Sequence, residues 1–274
     1  MSDPATAQDL DPIRPALSVR GLRKEFGAHV AVADLSFDLL PGRSLAIVGE
    51  SGSGKTTVAR MIVGLERPTA GEIVACGRDR SRPARGSKER KLRGREVQIV
   101  FQDPYSSLDP RQSGADLIDE VLRLHHSYDA AARRSTITEL ADLVGLDQRQ
   151  INALPRSLSG GQRQRVAIAR ALAAEPSVLI LDESVAALDV SIQAQVLNVL
   201  ADIRDERGIS YVLISHDLAV VRQLTEEALV MQRGEVVERG DTAQVLDSPR
   251  HPYTQMLRAS VPGPDWKPAR TMHG

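Results

Sequence analysis

One octapeptide constrains this chain more than any other stretch. Gly49-Glu50-Ser51-Gly52-Ser53-Gly54-Lys55-Thr56 fits the pattern G-x4-G-K-[ST]. It follows a short run of buried-type residues, Ser44–Val48, and precedes helical spacing over Thr57–Leu65 that Pro68 stops. The chemistry needs that order. Glycines let the backbone wrap closely around phosphate oxygens with its N–H groups turned inward. The N-terminus of the following helix adds partial positive charge where the anion sits. In such a loop Lys55 reaches the β- and γ-phosphates, the Thr56 hydroxyl ligates Mg²⁺, and Thr57 continues the nucleotide-binding set. The loop predicts binding of ATP or GTP, and its strand–loop–helix context predicts an α/β fold.

Two further clusters bear on the same chemistry. Val178-Leu179-Ile180-Leu181 reads as a buried strand that ends in Asp182-Glu183. Carboxylates at the carboxyl end of a strand lie in the crevice where open α/β sheets bind ligands. Asp182 is expected to hold the Mg²⁺ shell, and Glu183 to act as general base on the attacking water. The block Leu158-Ser159-Gly160-Gly161-Gln162 opens a helix continuing RQRVAIARALAAEP. Ser159 is a good N-cap, and two glycines that packing does not call for leave first-turn N–H groups open. That makes a second anion site, puzzling if both served one nucleotide within one chain.

The remaining chain reads as one unit. Residues 1–15 are expected to be a disordered tail, and 263–274 to form a C-terminal tail. Ala16–Val19, the alternation Leu35, Phe37, Leu39, the hairpin segment Glu72–Ala75, and Val97–Phe101 and Tyr211–Ile214 read as strands. Ser113–Asn152 is helical in pattern, the mark of an inserted subdomain over about 104–160, and helices are expected between and after the last core strands. No internal repeat is present. The basic stretch Arg78–Arg95 holds no aromatic residue for base stacking and reads as a solvated loop and helix. With a net charge of −1, no global basic field points to nucleic acid. No run of about 18 apolar residues spans a bilayer. The N-terminus has no secretory signal, and one cysteine, Cys76, allows no intrachain disulfide, which together suggest a reduced, cytosolic setting.

With these motifs in this order, the chain resembles the nucleotide-binding domains of ABC transporters over about Leu17 to Pro262. The resemblance implies a P-loop NTPase (RecA-like) core, an antiparallel β subdomain and an inserted α-helical signature subdomain. It implies that Ser159, Gly160, Gly161 and Gln162 contact the γ-phosphate held by a second subunit, identical or a sister chain. It also implies that Phe26 stacks on adenine, that Gln102 touches Mg²⁺ and water, that Asp189 crosses the dimer interface, and that His216 senses the γ-phosphate. Phe101-Gln102-Asp103-Pro104, Ser107-Leu108-Asp109-Pro110-Arg111, Asp189-Val190-Ser191-Ile192-Gln193-Ala194-Gln195 and His251-Pro252-Tyr253-Thr254 resemble the oligopeptide, dipeptide and nickel importer branch, with a C-terminal extension over about 240–262. Ser184-Val185 departs from the usual Pro-Thr after the acid pair, and no C-terminal cysteine is present for an iron–sulfur cluster. The implied assembly is a peripheral ATPase on the cytoplasmic face of a bacterial cell membrane, with two permease subunits and an extracytoplasmic solute-binding protein. A soluble ABC-type ATPase, and an importer of nickel or another small solute, are the alternatives.

Overall fold

Strand and helix alternate as the core motifs require. In the computed structural model, which describes residues 14–103, 107–184 and 190–260, the chain begins with long antiparallel strands β1 (Leu17–Phe26) and β2 (His29–Leu39). β3 (Ser44–Val48) enters the phosphate loop and helix α1 (Lys55–Val63), followed by β4 (Ala70–Ala75), β5 (Arg78–Asp79), α2 (Ser87–Glu96) and β6 (Val97–Val100). Helices α3 (Gly114–His125) and α4 (Ala130–Leu143), a single turn at Gln148–Ile151 and α5 (Gly160–Leu172) precede β7 (Val178–Asp182). Then come α6 (Val190–Arg207), β8 (Ser210–Ser215), α7 (Leu218–Leu224), β9 (Glu227–Gln232), β10 (Glu235–Asp241), α8 (Thr242–Asp247) and α9 (Pro252–Ala259).

The strands run β5-β4-β1-β2-β10-β9-β3-β8-β7-β6 across the sheet. β3, β8, β7 and β6 are parallel, whereas β1, β2, β4 and β5 pair antiparallel. Every residue of β3, β7 and β8 is buried, which is why those segments read as unbroken apolar runs rather than alternations. Side-chain parity sorts them between two cores. Leu45, Ile47, Val178, Ile180, Val212 and Ile214 pack with Phe37 and with Val58, Met61 and Ile62 of α1. Their neighbours Ala46, Val48, Leu179, Leu181, Tyr211 and Leu213 pack with the helices on the other face, through Ile118, Leu140, Val166 and Leu200.

Register positions the site. Val48 pairs with Ser215, and Asp182 with Ile214, so the chain leaves β3, β7 and β8 on one edge of the sheet. Gly49, Glu183 and His216 therefore start from neighbouring strand ends although they are far apart in sequence.

Several expected boundaries move. α1 stops at Gly64, which takes a left-handed φ of 82°, well before Pro68. The helical stretch after Ser113 divides into α3 and α4, the second capped by Asp129, whose carboxylate accepts from the N–H groups of Ala131 and Ala132. The helices expected after β8 are interrupted by the β9–β10 hairpin, turned by Arg233 (φ 50°) and Gly234 (φ 85°). Four of the seven arginines in the basic stretch meet carboxylates within the fold. Arg78 and Arg80 both meet Glu96, Arg93 meets Glu89, and Arg95 meets Glu175. Among the described residues no helix is long and apolar enough to cross a membrane.

Candidate nucleotide site

The phosphate loop holds a shape that side chains would obstruct. Gly49, Gly52 and Gly54 have φ of 158°, 81° and 105°. A Cβ on Gly49 would stand 2.2 Å from the Met231 carbonyl oxygen, and one on Gly54 would stand 2.2 Å from that of Ala31. Gly54 is also the N-cap of α1 and supplies no side-chain cap, so the first-turn N–H groups stay open to an external anion. The Ser53 hydroxyl is buried in the loop without a hydrogen-bond partner. An open helix start, a glycine cradle and an orphan hydroxyl fit a phosphate chain.

Lys55 is only 4% exposed. Its ammonium donates to the carbonyls of Gly49 (2.7 Å) and Glu50 (2.8 Å). Burial pushes its pKa down, against the pull of Glu183, Asp182 and Glu50. Across the cleft, Asp182 is also 4% exposed and accepts from the Thr56 hydroxyl at 3.3 Å. Burial raises the Asp182 pKa, opposed by that hydrogen bond, while the Glu183 charge adds to the rise. Among the described residues no group of three or more His, Cys, Asp or Glu gathers for a metal. One hydroxyl and one carboxylate instead suit Mg²⁺, which keeps waters and borrows phosphate oxygens rather than filling a protein cage.

Glu183 stands at the end of β7 with φ 48°, a left-handed backbone that a glutamate rarely adopts. Its N–H is fixed by the Ile214 carbonyl at 2.9 Å, and its carboxylate lies 3.3 Å from His216 Nδ1. The strain coincides with the position at which the sequence leads one to expect the general base. Phe26 ends β1 with its ring 48% exposed, and the Lys24 ammonium sits 4.6 Å from the ring centroid.

These groups converge on one cavity of about 970 Å³. Phe26, Gly49, Glu50, Ser51, Gly52, Gly54, Lys55, Thr56, Thr57, Gln102, Glu183 and His216 all line it. Asp182 sits behind Thr56. Ser159, Gly160, Gly161 and Gln162 do not line it. Ser159 instead caps α5 in a reciprocal pair with Gln162: its hydroxyl accepts from Gln162 N, and Gln162 Oε1 accepts from Ser159 N. The expectation that packing makes no demand on the two glycines is corrected for Gly161, where a Cβ would lie 2.3 Å from Ile192 Cγ2. Asp189 and Val185 lie outside the described residues, as do Pro104, residues 1–13 of the N-terminal tail and the C-terminal tail.

The sequence profile described as ABC transporter matches residues 32–186, more than half of the chain. The chain belongs to the ABC transporter family. A second profile, described as the oligopeptide/dipeptide transporter C-terminal region, matches residues 237–273. The oligopeptide transport ATP-binding protein OppD of Mycobacterium bovis is 46% identical over 249 residues, covering 91% of this chain and 40% of OppD. The dipeptide transport ATP-binding protein DppF of Escherichia coli is 45% identical over 232 residues, covering 85% of this chain and 69% of DppF. This ABC chain thus spans less than half the length of OppD. A dimeric ATP-binding cassette solved in a post-hydrolysis state with ADP and Pi superimposes with a TM-score of 0.74 at 28% identity, covering 82% of this chain and 98% of that one.

In this ABC cassette the cavity has more lining than the motifs announce. His29 and Ala31 enter from β2, Asp217 follows His216, and Leu257 and Ser260 come from the C-terminal end. Position 29 carried no signal beyond its nearness to Phe26. The C-terminal contribution was flagged only by the segment His251-Pro252-Tyr253-Thr254, which says nothing of a nucleotide by itself.

Proposed function

We propose that this chain is the ATP-binding and ATP-hydrolysing subunit of an ABC importer, coupling ATP hydrolysis to the uptake of peptides across the bacterial cell membrane from its cytoplasmic face. One observation carries the reading. Lys55, Thr56, Glu183 and His216 share one cavity, with Asp182 bonded to Thr56, while the Ser159 helix start lies outside it. That is the layout of a half-site, and the missing half is the Ser159–Gln162 segment of a second cassette, a copy of this chain or a sister subunit.

In this reading Phe26 stacks on adenine with its exposed ring face. The loop amides, the Ser53 hydroxyl and the Lys55 ammonium hold the phosphates. Thr56, Asp182 and Gln102 are the residues that would hold Mg²⁺, which supplies positive charge at the β- and γ-phosphate oxygens when bound. Glu183 orients the attacking water and accepts its proton, and His216, 3.3 Å away, keeps that carboxylate aimed. The partner's Ser159 helix start brings open N–H groups to the γ-phosphate, so full stabilisation of the spreading charge needs closure. Closure of the two cassettes passes to two permease subunits through the segment around Gln102 and the helices α3 and α4. An extracytoplasmic binding protein delivers the solute. The peptide assignment draws its support from residues 237–273 and from the named relatives.

Glu183→Gln tests the central step. It is expected to keep ATP binding, to accumulate ATP-bound dimer in sedimentation, and to lower turnover at least a hundredfold, within the range for removal of a general base. Wild-type turnover in this variant overturns the assignment.

A further inference from the structure

The phosphate loop has a second hydrogen-bonding anchor, 203 residues further along the chain. The Tyr253 hydroxyl accepts from the backbone N–H of Glu50 at 3.0 Å. Glu50 is the residue whose carbonyl takes the Lys55 ammonium at 2.8 Å. The tyrosine ring is 5% exposed and belongs to the helical-side core.

Its helix is itself well held. The N–H groups of Arg250 and His251 donate to the two carboxylate oxygens of Glu238 on β10, at 2.8 and 3.1 Å. His251 caps α9 by accepting from Tyr253 N at 3.2 Å, and the Arg258 guanidinium donates to the Asp247 carbonyl at 2.7 Å. One turn beyond Tyr253, Leu257 lines the nucleotide cavity, and Ser260 follows it. β10, α9 and the loop therefore form a continuous strut.

We infer that Tyr253 is a positioning residue of the nucleotide site, setting the backbone of Glu50 and, through it, the resting place of Lys55. The inference rests on the proposed ATP site and adds the C-terminal helix to it. Loss of the phenol oxygen leaves the Glu50 N–H without its acceptor and frees the loop entrance. The loop binds phosphate alike in the ground and transition states, so the effect falls on KM rather than on kcat.

The test uses the full chain. Tyr253→Phe keeps the ring and removes the acceptor. It is expected to raise the ATP KM about fivefold, the scale of one lost hydrogen bond, with kcat unchanged. Hydrogen exchange at the Glu50 amide is expected to speed up, with the melting temperature lowered by no more than about 4 °C. Met256→Ala, an exposed change on the same helix, is expected to match wild type in all three measurements. An unchanged KM in Tyr253→Phe overturns the inference. So does a parallel fall in kcat and melting temperature, or a Met256→Ala variant that reproduces the KM shift. Lys55→Ala is run beside them: if it binds ATP as tightly as wild type, the nucleotide site itself fails. If it loses binding while Tyr253→Phe does not, only the inference fails.

Discussion

Asp182 is buried beside another carboxylate, and its near partner is a neutral hydroxyl. In the proposed site such a residue would serve a ligand at the expense of the fold. Its carboxyl titrates above the ordinary carboxylate range because burial disfavours the charged form. The sign of the pH effect follows. Below the ordinary range both folded and unfolded chains carry the proton, and Asp182 costs nothing. As pH rises towards the raised folded value, the unfolded chain ionises first and stability falls, and the loss persists above it. Asp182→Asn keeps the acceptor for Thr56 and removes the ionisation. The variant without nucleotide is expected to melt higher than wild type at pH 7, each kcal/mol recovered raising Tm by about 2–4 °C. The difference should vanish at pH values below the ordinary carboxylate range. Mg²⁺-dependent turnover is expected to be lost in the same variant. A lower Tm at pH 7, measured by calorimetry across a pH series, contradicts the account. Position 182 was legible from its place after four apolar residues. The left-handed backbone of Glu183 was not, because nothing in Leu181-Asp182-Glu183-Ser184 marks a positive φ.

Legibility of the elements followed burial. β3, β7 and β8 are buried on both faces, so apart from the terminal Asp182 their sequences carry only apolar residues, serine and one tyrosine, and declare themselves. β1 runs ten residues to Phe26, far past Val19, but register shifts at Val19/Leu22 and Leu22/Lys24 break the alternation beyond Arg20, so the sequence pattern stops short of the strand's end. β10 carries no fully buried residue, so its sequence offers no apolar stripe at all. α5 shows how one element can serve two ends. Ser159 satisfies Gln162 N at 3.3 Å, a long bond, so Ser159→Ala is expected to cost only about 0.5–1 kcal/mol of stability. If the helix start also faces a partner's nucleotide, the same change is expected to reduce turnover more than tenfold, beyond what its stability loss accounts for. Chemical denaturation and turnover on one preparation separate the two effects. Gly161, held to within 2.3 Å of Ile192 for any added Cβ, cannot be used for this test, since its alanine variant shifts α5 against α6.

At the scale of the whole molecule, the sheet divides the chain into a nucleotide edge and two packed faces, and the Ser159 helix start does not line the cavity that its own chain builds. A single copy thus owns one phosphate cradle and one capped helix that do not share a cavity in the fold described. If the partner proposed above is a second copy, two-fold pairing of identical surfaces solves this, each copy lending its helix start to the other's cradle. The geometry makes an unusual demand on inactive variants. A Lys55→Ala chain keeps a good Ser159 helix start, and a Ser159→Ala chain keeps a good cradle. Paired with each other they assemble one complete site and one doubly defective site. Mixed in equal amounts, the two are expected to recover about a quarter of wild-type turnover, since random pairing makes half of the dimers mixed and half of their sites complete. Each variant alone stays near zero. Recovery should grow with total chain concentration, because it depends on association. Turnover that stays at the sum of the two separate variants at every concentration removes the ground for a site shared between identical copies and leaves a sister subunit as the source of the second helix start.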